Sequence, residues 1–364
     1  YVILSVLAVL VIVSRQTDPG YKIAWIIPIL LFPAFGWLVY LLCGGNKLSA
    51  RMRRKMQGVD HTMVEQLERD YKAEKLVSFG ADAVNQARYL ELYARCPVYT
   101  NTWTQYFPLG DDVFPVMLEE LKRAERYIFL EYFIIGPGVF WDSIVEILKE
   151  KHAAGVDVRI IYDDVGSLNT LPMNFAKKFE AETGIPCCFF NRFKPVISIR
   201  MNNRDHRKFC IIDGHTAFTG GINLADEYIN REMRFGHWKD SAILVKGEAA
   251  WSMTVMFLTM WEYVREVKAD YAALRPAGLP PEAQLGSGYF VQPYTDNPLD
   301  NEAVGETVYL NLISKAERYV YIMTPYLIIS DCVNTALCNA AKAGVDVRIM
   351  TPHIPDKPLV FEVT

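Results

Sequence analysis

KRAERYIFLEYFII, residues 122–135, occurs twice in this chain, the second time as SKAERYVYIMTPYLII at residues 314–329. A second matching pair follows, AAGVDVRIIYDD at residues 153–164 and KAGVDVRIMTPH at residues 342–353. Both pairs are offset by about 190 residues, so the sequence contains an internal duplication.

Each copy predicts the same order of elements. An apolar run rich in β-branched and aromatic residues indicates a strand, an amphipathic stretch such as WDSIVEILKEKHAAG (residues 141–155) indicates a helix, and VDVRI indicates a second strand. Strands that alternate with helices predict an α/β fold, with a mainly parallel sheet covered by helices. The duplication predicts two similar lobes that face each other.

The composition of the 364 residues excludes several classes of protein. A net charge of −4 gives no general attraction for nucleic acid. The seven cysteines are scattered without a C-x-x-C pair, which predicts reduced thiols of a cytosolic domain rather than a disulfide framework. The six histidines form no H-E-x-x-H or His/Cys cluster, so the sequence predicts no metal site.

The first 45 residues predict a membrane hairpin of two helices. Residues 1–13 form a run without charge, and residues 23–44 supply about 20 apolar residues, the length that a bilayer crossing needs. The alternative is a cleaved signal peptide. A second apolar stretch follows at once and no A-x-A site is present, and both observations favour the hairpin.

Basic residues predict the orientation of this hairpin. The connector between the two apolar stretches carries only two, Arg15 and Lys22. Five follow the second stretch: Lys47, Arg51, Arg53, Arg54 and Lys55. The positive-inside bias then places the remainder of the chain in the cytoplasm. The same cluster can bind anionic lipid headgroups, and a role as a topology signal alone is equally compatible with it.

The candidate catalytic residues lie in one segment, residues 204–223, with the sequence RDHRKFCIIDGHTAFTGGIN. The Asp213-Gly214 pair predicts the turn of a β-hairpin. The period of two along a strand puts His206 and Lys208 on one face, with Arg207 on the other.

Two glycines and an asparagine end the returning strand of this hairpin. Without side chains, Gly220 and Gly221 let a ligand approach the backbone, and Asn223 adds an amide donor. An imidazole, an ammonium and an amide beside glycines are the groups of a phosphate-binding site with a built-in nucleophile. The alternative is an ordinary hairpin with a surface histidine and lysine.

The pattern H-x-K-x4-D followed by G-G-x-N resembles the HKD motif of the phospholipase D superfamily. The resemblance is closer still to bacterial cardiolipin synthases, because the N-terminal apolar hairpin, RAERYIFLEYFI, RDHRK, FTGGINLADEY and GHWKDSAILVKG are all similar to that family. That family carries two HKD motifs, and one is present here. The duplication predicts the second near position 395, beyond Thr364. We therefore expect an incomplete second lobe and a chain that is inactive alone.

The resemblance implies that one histidine attacks a phosphodiester phosphorus to form a phosphohistidine, while the histidine of the other lobe protonates the leaving group. It implies neither a metal nor another cofactor, and it leaves open which lobe supplies the nucleophile. Lys208 and Asn223 would stabilise the phosphoryl oxygens, and Asp213 either supports the site or is only the turn residue. The implied catalytic residues are His206, Lys208 and Asp213, and the implied phosphate-binding residues are Asn223, Gly220 and Gly221.

Further carboxylates are candidates for supporting roles. Glu131 lies in the first predicted strand, where it would orient the histidine of the motif if it faces inward; the alternative is a carboxylate paired with a nearby base. Its counterpart in the repeat is Met323, so any such role belongs to the first lobe. We expect Glu227 to line the cleft, and Trp238 and Asp240 to form a structural pair at a strand edge.

The sequence thus predicts five regions: a membrane hairpin at residues 1–45, a helical cytoplasmic linker at 46–104, a first lobe with the HKD motif at 105–265, a connector at 266–300 and the start of a second lobe at 301–364.

The resemblance implies a cardiolipin synthase of a bacterial cell membrane, with its catalytic domain in the cytoplasm. Its partners would be phosphatidylglycerol and anionic membrane lipid. Aromatic and basic residues alternate in residues 189–208, as in some nucleic-acid-binding proteins, but the hairpin and the low net charge favour lipid. Nothing in the sequence specifies the oligomeric state. The alternatives are a phospholipase D-type hydrolase, a transphosphatidylase with another alcohol acceptor, and an inactive membrane-anchored scaffold that binds lipid.

Overall fold

The computed structural model describes residues 2–15, 19–43, 50–67, 72–192, 203–286, 288–296 and 302–356. Lys47 of the basic cluster and residues 193–202 of the aromatic and basic stretch lie outside these ranges.

The helices are α1 (Val2–Val13), α2 (Pro19–Leu31), α3 (Pro33–Cys43), α4 (Ala50–Leu67), α5 (Ala81–Tyr93), α6 (Gly110–Lys122), α7 (Val139–Ala153), α8 (Phe175–Thr183), α9 (Ala249–Arg265), α10 (Tyr271–Leu274), α11 (Val304–Ser314) and α12 (Asp331–Lys342). Short 3-10 helices cover Ala73–Phe79, Asp226–Ile229 and Pro281–Gly286. The strands are β1 (Thr102–Phe107), β2 (Tyr127–Tyr132), β3 (Asp157–Asp163), β4 (Cys187–Phe190), β5 (Lys208–Ile212), β6 (Thr216–Gly220), β7 (Ala242–Gly247), β8 (Tyr319–Met323) and β9 (Asp346–Met350).

The first sheet has seven strands in the order β1-β7-β6-β5-β2-β3-β4. Strands β2, β3 and β4 run parallel to one another, whereas the other four neighbouring pairs are antiparallel. The expectation of a mainly parallel sheet is therefore wrong, although the α/β class is right. The parallel pairs β2–β3 and β3–β4 are each joined by a crossover helix, α7 and α8, whereas the turn of residues 213–215 between β5 and β6 is too short for one. The antiparallel pairs β1–β7 and β2–β5 join strands that are distant in the sequence.

The predicted repeat is confirmed as two strand–helix–strand units. In the first, α7 joins β2 to the parallel strand β3, and Tyr127 lies opposite Asp157. In the second, α12 joins β8 to the parallel strand β9, and Tyr319 lies opposite Asp346. These pairs are equivalent positions of the two copies, so the duplication extends to the register of the strands.

Helices cover both faces of the seven-stranded sheet. On one face α6, α7 and α8 pack against the strands, and on the other face lie α9 and α4. Helix α9 is buried along most of its length, from Ala249 to Thr259. Met63 and Leu67 of α4 are also buried in this core, so the predicted linker contributes to the folded domain.

Helix α7 shows how the sequence produces this packing. Its buried residues recur at intervals of three and four positions, which places them on one side of the helix: Phe140, Trp141, Ile144, Ile147 and Leu148. Asp226 fixes the start of the helix, because its carboxylate oxygens accept hydrogen bonds from the backbone N–H groups of residues 139 and 140 at 2.9 and 2.8 Å.

The N-terminal residues form three short helices that pack on one another through Ala8, Ile12, Ile29 and Tyr40. The sequence predicts one continuous span over residues 23–44, but α2 ends at Leu31 and α3 begins at Pro33. Proline disfavours helical geometry in the residue before it, which accounts for the break at this point. None of the helices in the described ranges has both the length and the apolar character needed to cross a bilayer.

Candidate active site

The predicted hairpin of residues 204–223 is present and forms the middle of the sheet. Strands β5 and β6 pair antiparallel, with Phe209 opposite Thr219. Asp213 and Gly214 both have positive φ, 54° and 75°, as the predicted two-residue turn signal requires. Glycine is also needed for space, since a Cβ atom at Gly214 would lie 2.2 Å from the hydroxyl oxygen of Tyr127.

His206 and Lys208 lie together where β5 begins. The imidazole of His206 is exposed and contacts Phe133, with 4.6 Å between the ring centroids. Lys208 is only 4% exposed, and its Nζ lies 5.5 Å from the centroid of the same ring. Lys208 Nζ also donates a hydrogen bond to the carbonyl oxygen of His206 at 2.7 Å. The structure therefore brings these two predicted residues to one face, as their spacing indicates.

The environment of Lys208 weakens its hold on a proton. Burial is the main cause and lowers the pKa of Lys208 to about 8, because it disfavours the charged ammonium. The carboxylates of Asp240, Asp205 and Asp163 act in the opposite direction but offset only part of this effect. Lys208 is therefore mostly a cation at neutral pH, and it loses its proton close to the physiological pH range.

Asn223 is buried and holds the loop after β6. Its Oδ1 accepts a hydrogen bond from the backbone N–H of Ile134 at 3.0 Å, and its Nδ2 donates one to the hydroxyl of Tyr228 at 2.8 Å. Both ends of the amide thus bond within the protein. The predicted role of Asn223 in phosphate binding stays a prediction.

Gly220 and Gly221 make room for a neighbouring segment of the chain. A Cβ atom at Gly221 would lie 2.1 Å from Asp240 Oδ1, and one at Gly220 would lie 2.3 Å from the carbonyl oxygen of Ser241. Gly220 also has φ of +153°. Close approach of a ligand to these glycines stays a prediction, whereas the close approach of Asp240 and Ser241 is a feature of the fold.

Asp240 is the residue whose place in the site was missed by sequence reasoning. It forms the expected pair with Trp238, which donates a hydrogen bond to it. The charges of Asp240 and Lys208 interact, so that each side chain favours the ionised form of the other. Burial raises the pKa of Asp240, while hydrogen bonds from Ser241 and Trp238 and the charge of Lys208 lower it. The paired glycines, which leave space for its carboxylate, were the available signal.

Asp213 lies at the other end of β5 and is not brought together with His206 and Lys208. It follows Lys208 by five positions along the strand, a distance on the order of 16 Å. Its carboxylate accepts hydrogen bonds from three consecutive backbone N–H groups, those of residues 125, 126 and 127, at 2.9, 2.8 and 2.8 Å. The structure thus gives Asp213 a contact with the start of β2, in addition to its place in the turn.

Glu131 faces away from His206. It lies opposite Phe209 in the pairing of β2 with β5, and directly opposed residues share a face of the sheet. Arg207 lies on the same face as Glu131, and its Nη2 is 2.6 Å from Glu131 Oε1. Glu131 therefore does not face His206, and its carboxyl group lies beside a base, Arg207, as the alternative expected. A supporting role for Glu131 stays a prediction.

Glu227 is buried in the 3-10 helix Asp226–Ile229, next to Tyr228. Its Oε1 lies 3.2 Å from Nη1 of Arg234. Its neighbour Tyr228 bonds to Asn223, so this helix lies beside the loop after β6. A direct part for Glu227 in the cleft stays a prediction.

The part of the chain that the structure describes holds no cluster of three or more histidine, cysteine, aspartate or glutamate side chains that could bind a metal ion.

Comparison with known families gives two matches. Residues 117–261 match the family described as cardiolipin synthase, PLD-like domain. Residues 3–45 match the family described as phospholipase D-nuclease N-terminal. The first match contains His206, Lys208, Asn223 and Asp240, and the second coincides with helices α1, α2 and α3.

Individual relatives extend the similarity over nearly the whole chain. Cardiolipin synthase 2 of Bacillus anthracis is 32% identical over 362 residues, which cover 96% of this chain and 68% of that protein. Cardiolipin synthase of Geobacillus kaustophilus is 32% identical, with 98% and 71% covered. An uncharacterized protein of Streptococcus mutans is 41% identical, with 97% and 76% covered.

A solved structure supports the fold. Phosphatidylserine synthase of Haemophilus influenzae superposes with a TM-score of 0.51 at 12% identity, covering 73% of this chain and 65% of that one. At this level of identity the likeness concerns the fold alone. The family matches and the relatives confirm the resemblance found in the sequence: this chain belongs to the cardiolipin synthase family of phospholipase D-like proteins.

Proposed function

We propose that the protein is a phosphatidyltransferase that makes cardiolipin from two molecules of phosphatidylglycerol and releases glycerol. One observation carries the proposal: the exposed imidazole of His206 and the buried ammonium of Lys208 both contact one aromatic ring, Phe133, at the start of β5. In a chain of the cardiolipin synthase family, this pair supplies a nucleophile and a cation for one phosphodiester.

The proposed reaction has two displacement steps. In the first, an imidazole nitrogen attacks phosphorus, a P–N bond forms, and the P–O bond to glycerol breaks as a second acid donates a proton to the leaving oxygen. In the second, the group that donated the proton in the first step accepts a proton from the hydroxyl of another phosphatidylglycerol. That hydroxyl oxygen attacks the phosphorus of the phosphohistidine, a P–O bond forms, and the P–N bond breaks to restore the imidazole. His206 is one of these two groups in the proposal, and the histidine expected in the second lobe is the other.

Lys208 has an electrostatic role in this scheme. Negative charge on the phosphoryl oxygens must be balanced as phosphorus gains its fifth ligand, and a buried ammonium interacts more strongly than an exposed one. Asp240, Asp205 and Asp163 support this role because their charges favour the protonated form of Lys208.

We further propose that α1, α2 and α3 attach the protein to the bacterial cell membrane, with the lobes on the cytoplasmic side. These helices expose large apolar side chains, among them Ile3 at 77%, Phe35 at 68% and Leu31 at 67%. Such a surface is stable against lipid and unfavourable in water. Attachment also raises the effective concentration of a lipid acceptor relative to water, which favours synthesis over hydrolysis.

The test uses the protein expressed in membranes from its complete reading frame and supplied with labelled phosphatidylglycerol. We expect cardiolipin and free glycerol in equal amounts. His206→Ala should lower the rate by at least about 10³-fold, because the scheme needs both histidines, one to form the covalent intermediate and one to protonate the leaving oxygen. His61→Ala is the matched control, since His61 is an exposed histidine on α4.

Three other outcomes contradict the proposal in different ways. Phosphatidic acid in place of cardiolipin would identify a hydrolase. Transfer to a different added alcohol in preference to phosphatidylglycerol would identify another transphosphatidylase. Absence of any product, with lipid binding retained, would identify a scaffold.

A further inference from the structure

The residues on both sides of His206 are anchored on the face of the sheet opposite to the candidate site. Arg207 Nε lies 3.0 Å from Asp205 Oδ1, and Arg207 Nη2 lies 2.6 Å from Glu131 Oε1. Arg207 Nη1 also donates a hydrogen bond to the carbonyl oxygen of Met256 in α9, at 3.4 Å. His206 is thus exposed between Asp205 and Arg207, whose side chains are held on the opposite face of the sheet.

A second contact fixes the main chain of the same segment. Asp163, which is fully buried at the end of β3, accepts a hydrogen bond from the backbone N–H of Asp205 at 3.0 Å. Its other oxygen accepts from the backbone N–H groups of Val165 and Gly166, each at 2.9 Å, and lies 3.4 Å from Arg204 Nη1. The chain before β5 is therefore tied to β3 as well as to β2.

The charges of Glu131, Asp205 and Arg207 do not balance if all three side chains are ionised. Glu131 is 1% exposed and Asp205 is 6% exposed, and one guanidinium, that of Arg207, faces both carboxyl groups. Two carboxylates and one cation would leave a net negative charge in a medium of low dielectric, which is costly. A single proton shared between the two carboxyl groups makes the cluster neutral.

Geometry indicates which carboxyl group carries that proton. Asp205 accepts hydrogen bonds from the Nε–H and the backbone N–H of Arg207, at 3.0 and 3.3 Å. Glu131 lies at ion-pair distance from Arg207, but neither of its oxygens receives an aligned hydrogen bond from a described residue. An acceptor without donors is less favourable as an anion than one with two, so the proton belongs on Glu131.

The electrostatics agree with this assignment. Burial raises the pKa of Glu131 well above its usual range, and the charge of Arg207 offsets this only in part, while the charge of Asp205 adds to it. Burial also acts to raise the pKa of Asp205, but the charge of Arg207 and hydrogen bonds from Glu131 and Arg207 outweigh it and lower that pKa. Beyond these groups, the neighbour of Glu131 is the Cys188 thiol, whose pKa burial raises to about 12.

We propose that Glu131 is a positioning residue that works as a neutral carboxylic acid: it donates a hydrogen bond to ionised Asp205 and thereby holds Arg207 and, between them, His206. Its effect on turnover rests on the function proposed above, whereas its protonation does not. Glu131 touches no reacting atom, so its loss should change the rate of the chemical step and leave lipid binding almost intact.

Two isosteric substitutions test the proposal because they should have opposite results. Glu131→Gln keeps a donor toward Asp205 without needing a proton, and we expect kcat within about threefold of the wild-type value. Asp205→Asn removes the anion that pairs with Arg207, and Glu131→Ala removes the donor; each should lower kcat about 100-fold at nearly unchanged KM, the usual size of an effect from misplaced reacting groups. If Glu131→Gln is as damaging as Glu131→Ala, the carboxylate form is required and the proposal is overturned.

Two measurements test the proposal independently of activity. The infrared difference spectrum between wild type and Glu131→Gln at pH 7 should contain the carbonyl stretch of a protonated carboxylic acid, and its absence overturns the proposal. Amide hydrogen exchange at residues 205–208 should be slow in wild type and Glu131→Gln and faster in Glu131→Ala. If wild type makes no cardiolipin, the proposed function fails, while these two readouts still decide the protonation and positioning of Glu131.

Discussion

Phe129 in β2 and Tyr321 in β8 occupy equivalent positions of the internal repeat, yet Phe129 is fully buried and Tyr321 is 54% exposed. The same holds along both strands, since all six residues of β2 are buried, whereas alternate residues of β8 are exposed. Strand β2 lies between β5 and β3, while β8 pairs with β9 alone within the described part of the chain. The repeat therefore specifies the strand–helix–strand unit, and neighbouring strands determine how deeply it is buried.

The two strand–helix–strand units also differ in the burial and the partners of the side chains at equivalent positions. Glu131 is buried at 1% exposure beside Arg207, and its counterpart Met323 is 61% exposed. A carboxyl group at this position has a partner only where β5 pairs with β2 and brings Arg207 to the same face. The candidate site is thus a property of the pairing between β2 and the hairpin, and not of the repeated unit itself.

The largest expected effect is the difference in the free energy of unfolding between the variants Phe129→Ala and Tyr321→Ala. Phe129 stacks between Tyr127 and Phe257, with ring centroids 4.5 and 4.7 Å away, so its removal leaves a cavity in the core. We expect the free energy of unfolding to fall by about 4 kcal/mol. Tyr321→Ala should leave it nearly unchanged. Denaturant unfolding of both variants measures the difference, and equal losses would show that Tyr321 is covered in solution.

The next effect concerns Lys208 of the first lobe. Because folding lowers its pKa to about 8 from 10.5, the unfolded chain binds the proton more tightly, and the protonated lysine opposes folding below pH 8. This penalty disappears as the pH rises toward 10.5. We expect wild type to gain about 3 kcal/mol of stability relative to Lys208→Met over that interval. Unfolding curves at several pH values measure it, and parallel curves would contradict the lowered pKa.

The smallest effect concerns Asp213 and the ERY triplet found in both copies, at residues 125–127 and 317–319. In Asp213→Asn the uncharged amide replaces a carboxylate that accepts three backbone N–H groups. We expect the opening free energy of amides 125–127 to fall by about 1 kcal/mol, with no change at 317–319. Native-state hydrogen exchange resolves the two sites, and an equal change in both would contradict a local role.

The local parts of the fold were predictable because their signals are local. Asp213-Gly214 between two apolar runs indicated the hairpin, and the repeated strand and helix patterns indicated both parallel units. The pairing of β5 with β2 and of β1 with β7 was not predictable, because no residue pattern within a strand specifies a partner more than 70 residues away. The wrong expectation of a mainly parallel sheet follows directly from this.

The site was predictable to the same extent. The spacing of His206 and Lys208 placed them together, since that argument needs only the period of a strand. The face of Glu131 could not be derived, because the period of two within β2 leaves two choices until the register with β5 is known. Asp240 escaped prediction for a similar reason: its place beside Gly221 depends on the pairing of β6 with β7.

The pairing of β1 with β7 has a consequence for the order of assembly. Thr102 lies opposite Gly247, about 140 residues later in the chain, so during synthesis β1 emerges long before its partner. At bacterial rates of translation this delay is on the order of 10 s, far longer than a hairpin needs to form. The exposed centre of β1 consists of Thr104, Gln105 and Tyr106, and two of these three side chains are aliphatic polar groups. Polar residues there reduce the risk that the waiting strand pairs with another nascent chain before β7 arrives.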